Sequence, residues 1–135
     1  MGPLGATLER VGDRWMLLIV DALMDGPHRF GELQAEVEPI APNILSARLK
    51  RLEAEGILLA RPYTRRPLRF SYELTASGRE LAGAIRLLAD WGARSAGGEP
   101  IRHAECGTPM EARWYCPTCS RAVRDEEAES ELHYV

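Results

Sequence analysis

The pattern that most limits how this chain can fold lies in residues 40–56. Leu45, Leu49 and Leu52 recur at helical spacing, which predicts a helix with one buried apolar stripe. The opposite face and its edges carry an amide, a hydroxyl and cations, from Asn43, Ser46, Arg48, Lys50 and Arg51. Such groups read base edges and hold phosphates, although a polar face is also what any amphipathic surface helix presents.

Three shorter helical segments precede this helix. Apolar spacing predicts them over residues 4–11, 14–24 and 30–37. Asp13 is placed to cap the second of them, and residues 38–41 form a tight turn between the third and the fourth. Pro42 suits the first turn of the fourth helix and Gly56 suits its end. Two short helices joined by a tight turn, the second with a polar outer face, give the outline of a helix-turn-helix unit.

After Gly56 the apolar period changes from helical to alternating. Residues 57–63 and 68–74 are therefore predicted to form two antiparallel strands, joined by a turn at residues 64–67. Cationic side chains lie in this turn and just beyond it, at Arg65, Arg66 and Arg69. A basic tip can simply keep a strand edge soluble. Directly after a candidate recognition helix, we interpret it as a wing that reaches a flanking groove or phosphate.

A long helix is predicted over residues 76–94, with Thr75 as its cap. Its apolar side chains cover more than one narrow stripe, so they need a second surface besides the core of the domain. We interpret that surface as a second subunit. The candidate interface residues are Leu8, Leu81, Leu88 and Trp91.

The charge of the chain is unevenly distributed. The whole sequence has a net charge of −3, whereas residues 41–70 hold seven basic and two acidic side chains, or +5. A local patch matters more for nucleic-acid binding than the sum over the chain. The positive charge lies on the predicted helix-turn-helix and wing, which favours DNA as the partner.

Several short segments together carry a family resemblance. They are Gly12-Asp-Arg-Trp15, Arg29-Phe30 with Glu32-Leu33, the run from Leu45 to Ile57, Tyr72-Glu-Leu-Thr75 with Gly78, and Trp91-Gly92. In these the sequence resembles, over residues 4–92, the HxlR-type family of bacterial winged helix-turn-helix transcription regulators. The resemblance implies a homodimer formed through the terminal helices, with two recognition helices in adjacent major grooves. Many relatives have a redox-sensing cysteine near the amino terminus, but residues 1–11 contain none, so that mechanism is not carried over.

All the cysteines lie beyond this region, in a second motif. His103, Cys106, Cys116 and Cys119 have the spacing H-x2-C, nine residues, C-x2-C. Two such knuckles on a short hairpin supply the four ligands of a tetrahedral zinc site, and the motif resembles a zinc ribbon in which histidine replaces the first cysteine. We expect one structural Zn²⁺ per chain. A redox-active C-x2-C pair and free thiols in a disordered tail are the alternatives.

The predicted fold is mainly α with a small β-hairpin wing. The chain divides into a winged helix-turn-helix domain (1–95), a linker (96–100), a zinc-ribbon-like module (101–124) and an acidic tail (125–135). The predicted function is a sequence-specific, homodimeric DNA-binding transcriptional regulator that recognises a palindrome-like duplex. Alternatives are a winged-helix protein-interaction module and a regulator that senses redox state or metal through the zinc site.

Other classes fit the sequence less well. No apolar run approaches the ~20 residues that span a bilayer, and the start lacks the pattern of a signal peptide, so we expect a cytoplasmic protein with no membrane partner. Glycine-rich phosphate loops and nucleophile-elbow motifs are absent, and we expect no enzymatic activity.

Overall fold

The computed structural model describes residues 2–127. In this range the helices are α1 (Pro3–Val11), α2 (Arg14–Ala22), α3 (Phe30–Glu36), α4 (Pro42–Ala54) and α5 (Ala76–Ser95). The strands are β1 (His28–Arg29), β2 (Leu58–Arg65), β3 (Leu68–Leu74), β4 (Trp114–Cys116) and β5 (Arg121–Val123). None of the helices in the described residues has the length and apolar character needed to cross a bilayer.

The chain forms two compact units, which divide within α5. One comprises residues 4–86, and within the described residues the other comprises residues 87–127 together with residues 2 and 3. The sequence places the boundary later, after the long helix. Of the predicted acidic tail, residues 125–127 form a short 3₁₀ turn, and the remainder lies outside the described residues.

The first unit has a helical core. Leu45, Leu49 and Leu52 are all buried, which confirms the apolar stripe predicted for α4. They belong to a cluster that also contains Met16 and Ile19 of α2. Burying that stripe fixes which face of α4 is left for other contacts.

The predicted second helix is shorter than expected. It ends at Ala22 and continues as a 3₁₀ turn over Leu23–Asp25. Its start is as predicted, because the Asp13 carboxylate accepts hydrogen bonds from the backbone N–H groups of Trp15 and Met16 at 2.9 and 3.2 Å. This satisfies two donors that have no partner within the helix.

The wing is an antiparallel hairpin that is longer than predicted on one side. β2 extends to Arg65, which pairs with Leu68, so only Arg66 and Pro67 form the turn. The register shifts between Pro62 and Thr64, which leaves Tyr63 as an extra residue in β2. A β-bulge of this kind twists and bends a hairpin locally.

A third strand, β1, was not predicted. His28 and Arg29 pair with Tyr72 and Ser71 of β3, so the sheet order is β1-β3-β2. A two-residue strand has too few positions to show an alternating pattern, and its residues here precede α3 directly. Its consequence is that the start of α3 is held beside the wing.

The start of α5 packs closely against the backbone of Ile57, the residue just before β2. Thr75 caps α5, because its hydroxyl accepts a hydrogen bond from the backbone N–H of Gly78 at 3.1 Å. A Cβ atom on Gly78 would lie 2.1 Å from the carbonyl oxygen of Ile57. Only glycine permits this approach of helix to backbone.

The second unit contains two short antiparallel pairings. An isolated bridge joins Arg102 and Pro109, and β4 pairs with β5 with Trp114 opposite Val123. None of residues 101–127 is buried, and the side chains of Trp114 and Tyr115 are 75% and 62% exposed. Apolar burial within this segment is therefore slight.

Candidate nucleic-acid interface and metal centre

The outward face of α4 contains the residues predicted to read bases. Asn43 and Lys50 are exposed, and Ser46 is half-buried. No ion pair or hydrogen bond engages the Lys50 ammonium in the part of the chain that is described. An amide and an ammonium group are thus available on one helix whose opposite side is fixed in the core, which suits insertion into a major groove.

Arg48 lies on the edge of this face and turns toward α2. Its Nη2 is 3.1 Å from the Oδ2 of Asp13, the residue that caps α2. Burial would raise the pKa of Asp13, but hydrogen bonds from Arg48 and from the backbone of Met16 and Trp15 hold it below its ordinary value of 3.8. At neutral pH, therefore, a carboxylate already balances the charge of Arg48.

Arg51 is also engaged within the unit. Its Nη2 donates to the backbone carbonyl oxygen of Glu9 in α1 at 2.8 Å. Close by in sequence, the Arg10 side chain donates to the carboxylate of Glu55 at 2.6 Å. Arg48 and Arg51 thus connect α4 to the first two helices, and a phosphate contact by either would compete with these bonds.

The arginines of the wing have no such engagement. Arg65, Arg66 and Arg69 are exposed, and none forms an ion pair among residues 2–127. Arg61, lower on the same hairpin, is instead paired with Glu73. The uncompensated positive charge of the hairpin is therefore concentrated at its tip.

A further cation beside the wing was not identified from the sequence. The Arg29 guanidinium lies over the Tyr63 ring, 4.2 Å from its centroid. Arg29 and Arg69 line one groove of about 420 Å³ between the start of α3 and the hairpin, with aromatic walls that include Phe30 and Phe70. Pairing of β1 with β3 brings these groups together, and a two-residue strand gave no sequence signal for it.

The first predicted metal knuckle is a tight turn. The Nδ1 of His103 is 3.3 Å from the Sγ of Cys106, and the backbone N–H of Gly107 donates to the His103 carbonyl oxygen at 2.8 Å. Hydrogen bonds with the side chain and backbone of Thr108 and with His103 lower the pKa of the Cys106 thiol to about 7. The two predicted ligands of this knuckle therefore face each other.

The second knuckle connects β4 to β5. The backbone N–H of Cys119 donates to the Sγ of Cys116 at 3.5 Å. Hydrogen bonds from Cys119 and the backbone of Thr118 lower the pKa of the Cys116 thiol. This pair, too, is arranged around one turn.

The structure brings the predicted ligands together as pairs. Within residues 2–127, no three His, Cys, Asp or Glu side chains are grouped so that they could hold a metal ion. The joint zinc site of His103, Cys106, Cys116 and Cys119 accordingly stays a prediction.

Large apolar side chains are exposed on both terminal helices. In α5, Leu88 and Trp91 are 59% and 64% exposed, and in α1 Leu8 is 53% exposed. Leu81, the fourth predicted interface residue, is partly buried against the core. Leu8, Leu88 and Trp91 therefore have the exposure that an interface with another chain requires.

Known proteins resemble this chain in both sequence and structure. The family model described as HxlR-like helix-turn-helix matches residues 10–99. The HTH-type transcriptional regulator Rv3095 of Mycobacterium tuberculosis is 38% identical over 124 residues, which cover 88% of this chain and 78% of that protein. That coverage extends past residue 100, so the similarity to this relative includes part of the second unit.

Two solved structures are similar to the fold. The HTH-type transcriptional regulator YtcD superposes with a TM-score of 0.67 at 34% identity, over 72% of this chain and 99% of that one. The redox regulator HypR in its reduced form gives a TM-score of 0.66 at 30% identity, over 70% of this chain and 93% of that one. All three relatives are named as regulators, and none is named as an enzyme, in agreement with the sequence analysis.

Proposed function

Because the chain belongs to the HxlR-like helix-turn-helix family, we propose that it is a sequence-specific DNA-binding transcriptional regulator that acts as a homodimer in the cytoplasm. The single observation that carries the proposal is the outward face of α4, where Asn43 and Lys50 are exposed while Leu45, Leu49 and Leu52 are buried behind them. The relatives named as transcriptional regulators support it.

We assign roles to these side chains according to whether each one is already bonded within the protein. Asn43, Ser46 and Lys50 contact base edges in the major groove. Arg65, Arg66 and Arg69 of the wing contact phosphates or enter the neighbouring minor groove, as their uncompensated charge favours. Arg48 and Arg51 are engaged with Asp13 and with the Glu9 carbonyl oxygen, and they add phosphate contacts only where these bonds open.

Replacing Lys50 with alanine tests the base-reading role. We expect a loss of roughly 1–3 kcal/mol in binding free energy on the selected operator and a relaxed preference at one position of each half-site. Asn43→Ala should relax a different position. The measurement is selection from random duplexes followed by titration of single-base variants of the winning site.

The matched control is Arg86→Ala, which removes one positive charge from an exposed position on α5. It should leave the sequence preference unchanged. If Lys50→Ala and Asn43→Ala both keep the wild-type preference, α4 does not read the bases. If the protein shows no salt-dependent binding to DNA, the protein-interaction alternative is favoured instead.

The homodimer is proposed from the exposed apolar side chains and from the family resemblance. Leu88→Glu combined with Trp91→Glu should convert the protein to a monomer, because two carboxylates per chain would have to be buried in an apolar contact. Sedimentation at micromolar concentration measures this. Leu68→Glu, which alters an equally exposed leucine of the wing, should leave the dimer intact. A wild-type protein that sediments as a monomer and still binds a full palindrome cooperatively would contradict the proposal.

For such a dimer we expect half-sites about one helical turn apart, ~34 Å along the duplex. The redox role in the name of HypR is not transferred, because the cysteines of this chain all lie in residues 106–119. No cysteine lies in the helix-turn-helix or the wing.

A further inference from the structure

The second unit has ordered turns and strands but little to hold them together. None of residues 101–127 is buried, and β4 and β5 have three residues each. A two-stranded hairpin of this size is marginal in water without further stabilisation. Chains of this kind are usually stabilised by disulfides or by a structural metal ion.

The two knuckles of this unit have the same backbone design. In each, the second ligand of a pair is followed directly by a residue with positive φ, namely Gly107 at +71° and Ser120 at +54°. Glycine adopts this conformation freely, whereas serine does so rarely. Both turns therefore end on a residue in the left-handed region, glycine in the first and serine in the second.

Antiparallel pairing closes each knuckle at its base. The Arg102–Pro109 bridge flanks the turn of His103 and Cys106, and the pairing of Cys116 with Arg121 flanks the other. In both turns a backbone N–H points back to the first ligand residue, to the carbonyl oxygen of His103 in one and to the sulfur of Cys116 in the other. Each pair of donor side chains is thus presented from one tight loop.

The geometry of the first pair fits tetrahedral coordination. Two ligands of a tetrahedral zinc ion, a nitrogen at ~2.1 Å and a sulfur at ~2.3 Å, lie about 3.6 Å apart. The Nδ1 of His103 and the Sγ of Cys106 are 3.3 Å apart. A metal ion could therefore bind this pair with a shift of a few tenths of an ångström.

We propose that His103, Cys106, Cys116 and Cys119 bind one Zn²⁺ and that this ion joins the two knuckles into a single module. Three thiolates and an imidazole are a donor set for zinc rather than for magnesium or calcium, which prefer oxygen. Four protein ligands leave no position for water, so the site is structural. Binding brings the second pair to the first, and the module gains the cross-link that its small apolar content does not supply.

The proposal is tested on the full-length protein, purified without added metal and under reducing conditions. Elemental analysis should find one zinc per chain in the wild type and almost none in Cys116→Ser. His103→Ala should also lose zinc. His103→Cys, which restores a four-sulfur donor set, should retain one ion per chain, and this rescue separates ligation from a general need for histidine in the fold.

Hydrogen exchange provides a second readout that does not depend on metal analysis. Removal of zinc by a chelator should abolish amide protection in residues 101–123 and leave residues 4–86 unchanged. Zinc well below one per chain with all three thiols titratable in the folded protein would overturn the proposal, as would a Cys116–Cys119 disulfide in the reduced preparation. Retained zinc in Cys116→Ser would do the same.

DNA binding by the same variants keeps this result separate from the proposed regulatory function. The proposed metal ligands all lie beyond the helix-turn-helix, the wing and α5, so Cys116→Ser is expected to bind duplex DNA within about twofold of the wild-type affinity. If the wild type binds zinc but not DNA, the metal site stands and the regulatory proposal fails. If the wild type binds DNA but not zinc, the regulatory proposal stands and the metal site fails.

Discussion

Replacing Gly78 with alanine should destabilise the first unit by about 3 kcal/mol, at the upper end of what overpacking usually costs. The added Cβ would lie 2.1 Å from the Ile57 carbonyl oxygen and 3.1 Å from a methyl group of Leu74. The carbonyl group cannot easily move away, because it accepts a hydrogen bond from the backbone N–H of Thr75 at 3.0 Å. Urea unfolding, followed by circular dichroism, measures the loss.

Gly83 in the same helix provides the matched control. A Cβ at this exposed position would have nothing within 4 Å. Alanine there should raise stability by about 0.5–1 kcal/mol, since it restricts the unfolded chain and favours the helix. Equal stability of Gly78→Ala and the wild type would show that α5 does not approach the Ile57 backbone as closely as described.

Replacing Arg65 and Arg66 together with alanine should greatly reduce the salt dependence of DNA binding. In a homodimer the change removes four cations, and each phosphate contact contributes about 0.9 to the slope of log affinity against log salt, so the slope should fall by about 3.6. Between 50 and 200 mM salt the variant would then lose roughly 100-fold less affinity than the wild type. Affinity at low salt should fall for all sequences alike, because phosphates carry no base identity.

The control for this experiment is Arg113→Ala with Arg124→Ala. It removes the same charge from the second unit, where Arg113 is already paired with Glu111 at 2.6 Å. Its salt slope should match that of the wild type. If both double variants lower the slope equally, the wing makes no special contact and only net charge matters.

The helices were predictable because their signals are local. The stripe of Leu45, Leu49 and Leu52 and the caps at Asp13 and Thr75 depend on residues within one or two turns of each other. β1 was missed for the opposite reason. Its two residues become a strand only by pairing with β3, more than forty positions away, and a pattern needs more residues than that to be seen.

The site was partly predictable for the same reason. That Lys50 and Asn43 point outward follows from the period of α4. The engagement of Arg48 with Asp13 and of Arg51 with Glu9 does not, because those partners lie on other helices and a single-helix pattern contains no information about them. The spacing of the metal motif likewise predicts two pairs but says little about the distance between them.

The bonds that tie α4 to the first two helices limit which of its cations face outward. Arg10 with Glu55, Arg51 with Glu9 and Arg48 with Asp13 connect the amino-terminal segment to the second half of α4 and to its C-cap. Each is exposed or half-exposed and adds little to stability. Because the buried stripe of Leu45, Leu49 and Leu52 already holds the helix, these bonds mainly fix the direction in which the guanidinium groups of Arg48 and Arg51 point. Of the three cations of α4, Lys50 alone has no bond to another side chain or carbonyl group among the described residues.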